Sequence, residues 1–145
     1  MITTIHSYWA YVVLLMLIIA TVNALVGLTQ KSLFTDKNLR IFLFTLIVAH
    51  IQLIIGIINY FTTPYFKLFS DLGMGGVMKS SQARLLLVEH PLIMIIAIAL
   101  ITIGWSKHKK KTTDHGKFKT IAIFYGIALL LILSRIPWNQ WFTAQ

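Results

Sequence analysis

From residue 41 to residue 61 the chain reads IFLFTLIVAHIQLIIGIINYF, a run without a single Asp, Glu, Lys or Arg. About 20 apolar residues rising ~1.5 Å each cross the ~30 Å hydrocarbon core of a bilayer. A surface helix of a soluble domain carries its apolar residues on one stripe. Apart from His50, Gln52 and Asn59 this run is almost wholly apolar, which suits a lipid environment or the centre of a large core. A chain of 145 residues cannot build a core of that size, because small proteins leave much of their surface to solvent. The run is a membrane span.

Working outward, the same pattern recurs at about 7–28, 85–105 and 119–136. The four runs make a single all-α membrane protein, a four-transmembrane-helix up-down-up-down bundle covering 1–145 with no room for a separate soluble domain. Hydrophobic residues form 57% of the chain and charged ones 12%, with a mean hydropathy of +0.79, so the apolar excess must face lipid. Met1-Ile-Thr-Thr-Ile-His6 carries no Lys or Arg, and the run after it is too long for a signal-peptide core, so the first helix is expected to be retained. Thr35-Asp36 reads as the start of the second helix. The link from Thr62 to Arg84 holds Tyr65, Phe66, Leu68, Phe69 and Leu72 and is too apolar for a solvated linker. It predicts a short helix in the interface, or a lid over the bundle mouth. Pro91 would kink the third helix if the residues before it are already helical.

Charge sets the orientation. Lys31, Lys37, Arg40, Lys107, Lys109, Lys110, Lys111, Lys117 and Lys119 lie on the side of the first and third links; Lys67, Lys79, Arg84 and Arg135 lie on the other. The positive-inside rule puts the richer side in the cytoplasm and both termini outside it. Trp9, Tyr11, Tyr60, Tyr65, Trp105, Trp138 and Trp141 fall near span boundaries, as an aromatic belt would. The net charge of +9 implies contact with anionic headgroups of the lipid bilayer. No basic stretch is interleaved with aromatics, so no nucleic-acid partner is expected.

The chain has no cysteine, which excludes disulfides, thiolate zinc sites, cysteine-ligated iron–sulfur clusters and covalently attached haem. There is no phosphate-binding glycine loop and no His-Glu-x-x-His motif. Glu89 is alone as an acid within a span, so no carboxylate chain crosses the membrane. No catalytic constellation is present, and the chain is at most an electron-transfer component.

The informative residues are the histidines in lipid. His50 lies mid-way along the second span, His90 a turn and a half into the third, and His6 at the start of the first. Imidazoles there are costly and should face the bundle interior with a partner. One reading is axial ligation of a non-covalent b-type haem, which helix bundles hold between facing helices. The first and third spans are parallel and diagonal, so His90 is the leading ligand, His6 its first partner and His50 its second. Ala10, Val13, Leu17, Ala20 and Ala24 share the His6 face. Arg135 either pairs with Glu89 or meets a propionate. The other reading is that each histidine is a hydrogen-bonded core residue joining helices.

The second span has another polar face, Thr45, Gln52, Gly56 and Asn59. It either meets a second subunit or permits a close helix crossing at Gly56. Ala122 and Gly126 form a further small-xxx-small contact. His108 and His115, in the lysine-rich link, are expected to be solvated.

His6-Ser7-Tyr8-Trp9, the stretch from Ala49 to Gly56, Val88-Glu89-His90-Pro91, Thr102 to Lys107, Ile121 to Gly126 and Arg135-Ile136-Pro137-Trp138 together resemble a family. It is the small four-helix membrane proteins of Bacteroidota labelled "cytochrome B", and the likeness covers nearly the whole chain. A looser similarity is to one four-helix half of haem A synthase, although this chain lacks that enzyme's Glu-x-x-x-His pattern. The resemblance implies haem b, an electron-transfer or haem-holding role near the outer face, and a bacterial inner membrane shared with other membrane subunits or further copies of the chain. The alternative is a cofactor-free accessory or structural subunit of a larger membrane complex.

Overall fold

The structure, a computed structural model, describes residues 1–138; Trp141 lies outside them. Four helices are long and apolar enough to cross a membrane: a first span Ile2–Thr29, a second Asp36–Thr62, a third Ser81–Lys109 and a fourth Asp114–Arg135. The protein is an all-α membrane bundle. Each helix begins before the apolar window that predicted it, and the first three also end beyond it, because the helix continues to polar caps that such a window leaves out. Thr35 caps the second span by exchanging hydrogen bonds with Asn38, and the Thr113 hydroxyl accepts from the Gly116 amide to start the fourth. Both caps satisfy amides left free at a helix start.

The first span packs on the second and fourth, and the third packs on the second and fourth, so first and third face each other across the diagonal. Leu17, Ala20 and Ala24 of the first span, Phe42 and Ala49 of the second, Ala97 and Ile101 of the third, and Ile121, Tyr125 and Ala128 of the fourth are fully buried between them. Leu15, Ile18, Phe44, Ile54, Leu92, Ile95, Ile127 and Leu130 point outward, which only lipid makes favourable. The Tyr125 hydroxyl donates to the Phe42 carbonyl at 2.8 Å across the other diagonal. A buried phenol needs such an acceptor.

Small residues let backbones approach. A Cβ on Gly104 would lie 2.5 Å from Phe124 Cβ, and one on Gly27 would lie 2.5 Å from the Phe118 ring. Both glycines mark tight contacts with the fourth span. Gly126, with Thr21 of the first span 3.8 Å from its would-be Cβ, sits in an ordinary contact.

The link between the second and third spans contains a short turn at Pro64–Lys67 and a loop helix, Leu68–Lys79. Gly73 breaks that helix with φ 70° and ψ 169°, a region essentially reserved for glycine. Val77 is fully buried with Ala83 and Leu87, and Tyr60, Leu68 and Phe69 pack around them. The link is folded onto the end of the bundle, as its apolar content predicts.

Candidate functional site: a histidine pair across the bundle diagonal

The site lies at the end opposite the lysine-rich links. Its base is the seam of the first and second spans. Gln52 donates through Nε2 to the His6 carbonyl at 2.8 Å, and the Thr3 hydroxyl donates to Asn59 Oδ1 at 2.7 Å. A turn further in, the Trp9 indole donates to the Val48 carbonyl at 2.9 Å, so Trp9 turns into the seam instead of lying in a lipid-facing belt. Gly56 lies beneath the His6 ring: a Cβ there would be 3.2 Å from His6 Cε1 and 3.6 Å from Nδ1. The polar face of the second span therefore belongs to the first span of the same chain.

His90 comes from the third span, directly after a stretch of π-helix, Leu85–Glu89. Pro91 has no amide hydrogen and its ring crowds the carbonyl four residues back. The helix answers by widening one turn, so that the His90 amide donates to the Leu85 carbonyl; the disturbance expected of Pro91 takes the form of that π-helical turn. The His90 Nδ1 lies 2.9 Å from the Arg135 carbonyl of the fourth span. A carbonyl only accepts, so the proton is on Nδ1 and the lone pair of the neutral ring is on Nε2.

These elements bring His6 and His90 together. Their ring centroids are 6.2 Å apart, with the planes at 90°. The His6 Nδ1 is buried and has no hydrogen-bond partner, and nor has the buried Gln52 Oε1 beside it. Unpartnered buried polar atoms are uncommon in folded proteins, and a proton on His6 Nδ1 would give Gln52 Oε1 a donor.

A charged cluster flanks the pair. Glu89 Oε2 is 2.9 Å from Arg84 Nε, and Oε1 is 3.8 Å from Arg135 Nε. The second contact is the one the sequence suggests. Arg84 is additional: residues five apart diverge on an α-helix, whereas the widened turn between Arg84 and Glu89 brings them to one side. Arg84 Nη1 also donates to the Met78 carbonyl at 2.8 Å, tying the loop helix to the site.

His50 is engaged elsewhere. Its Nδ1 donates to the Leu46 carbonyl at 2.8 Å, and its Nε2 lies 3.3 Å from the hydroxyl of Thr102 on the third span. Both ring nitrogens are thus occupied by protein. His108, expected to be solvated, is instead 1% exposed. Its Nδ1 donates to the Trp105 carbonyl at 2.5 Å, and its ring lies between Phe34 and Trp105. The first link folds Phe34 in over the end of the third span and covers it. His115 is exposed as expected.

Among the described residues no group of three or more His, Cys, Asp or Glu is placed to hold a metal ion; what the bundle offers is a two-histidine site. Compared with protein-family models, curated proteins and solved structures, the chain matches none.

Proposed function

We propose that this chain is a b-type haem protein of a bacterial inner membrane, holding the haem between His6 and His90 and serving as an electron-transfer or haem-holding subunit near the outer face. One observation carries the reading: two imidazoles from diagonal helices lie edge to face with centroids 6.2 Å apart. Two imidazoles brought together from facing helices would be the residues to hold a haem iron, as in other helix bundles. The Nδ1 bond of His90 to the Arg135 carbonyl is the outer contact that orients a ligating imidazole and raises its basicity. Arg84 and Arg135 supply guanidinium groups suited to the carboxylates of a porphyrin. A haem bound there supplies one-electron ferric–ferrous chemistry.

The orientation belongs to the same reading. Nine of the 13 basic residues lie on the side of the first and third links, so the histidine pair sits towards the outer face.

The test is a reduced-minus-oxidised absorption spectrum of the protein purified after haem-replete expression. A haem band that His90→Ala removes is the expected result. Absence of any band in the unmodified protein would falsify the proposal.

A second reading, a cofactor-free accessory subunit, is favoured by the bonds that polar groups make between neighbouring spans: Gln52 to the His6 carbonyl, and His50 to Thr102. Polar side chains between membrane helices serve as such joints. On that reading His90→Ala weakens co-purification with a membrane partner and alters no spectrum.

A further inference from the structure

We propose a binding site for one anionic phospholipid in the cleft between the third and fourth spans at the lysine-rich end. The cleft has a volume of about 280 Å³. Lys107 from the end of the third span, Lys111 from the link and Lys119 from the start of the fourth line it. Among the described residues the ion pairs are those of Glu89 at the opposite end; none of these three ammonium groups makes one, not even with Asp114 of the adjoining helix start. Three cations lining one cleft without an ion-pair partner favour an anion there.

The other side of the cleft identifies which anion. Its wall beyond Lys119 is Ile123 and Phe124, one helical turn further into the span, or about 6 Å deeper at ~1.5 Å per residue. Ile123 is largely exposed, and Phe124 is held against Gly104 by the close approach of the two helices. Cationic heads above and an apolar wall below, at the place where two spans leave the membrane, match a lipid phosphate with its acyl chain attached. A free phosphate ion would have no use for the apolar wall. Lysines next to a span reach the headgroup level with their stems along the apolar surface.

Gly116 shapes the entrance. A Cβ there would meet the Thr113 hydroxyl at 2.9 Å and the Lys111 stem at 3.5 Å. The missing side chain lets the Lys111 stem lie against the first turn of the fourth span, where Lys111 lines the cleft with Lys107 and Lys119.

The experiment is native mass spectrometry of the full chain released from micelles containing phosphatidylglycerol and phosphatidylcholine in equal amounts. One phosphatidylglycerol should be retained, at least about tenfold in preference to phosphatidylcholine. The triple variant K107Q/K111Q/K119Q should lose that preference. K31Q/K37Q/K109Q, which removes the same formal charge outside the cleft, should keep it. Ile123→Trp leaves every charge in place and fills the apolar wall. It too should lose the bound lipid, so the question does not depend on one variant folding. Equal retention of both lipids, equal loss in the control variant, or displacement of the lipid by excess inorganic phosphate would each overturn the proposal.

Discussion

The His6 imidazole stands perpendicular to that of His90, 6.2 Å away between centroids, with Gly56 of the second span directly beneath it. The pair is assembled by all four helices. The first and third supply the rings, the second supplies the bare surface at Gly56, and the fourth supplies the Arg135 carbonyl that fixes His90. A residue with no ligating atom can therefore control the site. Gly56→Leu drives a side chain into the His6 ring; overpacking of this kind costs about 1–3 kcal/mol where the neighbour cannot yield. His6 lies near a helix end and yields by moving. The expected outcome is loss of most bound haem in Gly56→Leu with helicity unchanged by circular dichroism. His50→Ala, which breaks the joint to Thr102, should keep the haem band and lower the melting temperature, for a cost of about 0.6–2 kcal/mol. Haem loss in His50→Ala with retention in Gly56→Leu would reverse the assignment.

How much of this was legible in the residues follows from the range of the interactions. The spans are written in long apolar runs, and Thr35-Asp36 marks the second helix start, because both signals are local. The Glu89–Arg135 contact follows from the two residues lying at the same end of neighbouring helices. Arg84 as a third member was not legible, since helical periodicity does not allow for a widened turn, although Pro91 signals some disturbance upstream. The burial of His108 was hidden because it depends on Phe34, a residue far away in sequence that folds over it. The Gln52–Gly56–Asn59 face was visible as a face. Its partner, the first span, is set by helix rotation, and a single-helix projection carries no information on which neighbour a face meets.

The glycines of the helix contacts should separate into two classes on substitution by alanine. At Gly104 the new Cβ would be 2.5 Å from Phe124 Cβ and 3.1 Å from its Cγ. These atoms are fixed to the backbone, so the helices themselves must move apart. Gly126 has only the Thr21 methyl at 3.8 Å, an ordinary contact. Alanine gains up to about 1 kcal/mol of helix propensity at either site. Net destabilisation of about 1–2 kcal/mol is expected for Gly104→Ala after overpacking is set against that gain, and none for Gly126→Ala. Thermal unfolding in a fixed detergent measures both. Equal effects would mean that the third and fourth spans are not in the close contact described.

Among the described residues, Lys31 is the non-glycine residue with positive φ, at 52°. It follows the last turn of the first span, where the Ser32 amide donates to the Gly27 carbonyl at 3.0 Å in the pattern of a glycine-terminated helix. A side chain in the left-handed region costs roughly 1–2 kcal/mol. Part of that is offset by the extra freedom glycine gives the unfolded chain. Lys31→Gly should raise stability by about 0.5–1 kcal/mol, read as a higher melting temperature. A lower one would show that the lysine has a contact there that outweighs its backbone cost.

Orientation is open to a direct measurement. Alkaline phosphatase folds into an active enzyme only outside the cytoplasm, where its disulfides form. Fused after Lys111, within the lysine-rich link, it should be inactive, and inserted after Gly75 in the loop helix it should be active. Replacing Lys107, Lys109, Lys110 and Lys111 with Gln lowers the charge bias on which the orientation rests. A mixed population with activity at both fusions is expected of that variant. Activity after Lys111 in the unmodified chain would put the histidine pair on the cytoplasmic side and remove the outer-face role proposed for it.

Gly73 gives a test of backbone conformation free of packing, because a Cβ there would meet nothing within 4 Å. Any cost of Gly73→Ala must come from its φ of 70° and ψ of 169°, worth about 1–3 kcal/mol in a side-chain-bearing residue. Two responses are open to the chain. It can hold the break and accept the strain, or relieve the strain by continuing the helix straight, which carries Val77 out of its buried contact with Ala83 and Leu87. Burying a valine is worth about 1.5–3 kcal/mol, comparable to the strain, and alanine's helix propensity adds up to about 1 kcal/mol in favour of a continuous helix, so the second response is expected. Hydrogen exchange should then accelerate from Gly75 to Lys79 while the four spans keep their protection. Arg84, whose Nη1 is bonded to the Met78 carbonyl, would lose that tie, and Glu89 would keep Arg135 alone as a fixed partner. Unchanged exchange across the loop helix would mean that the break is held by forces other than the glycine, and the loop would then be no route to the charged cluster beside His90.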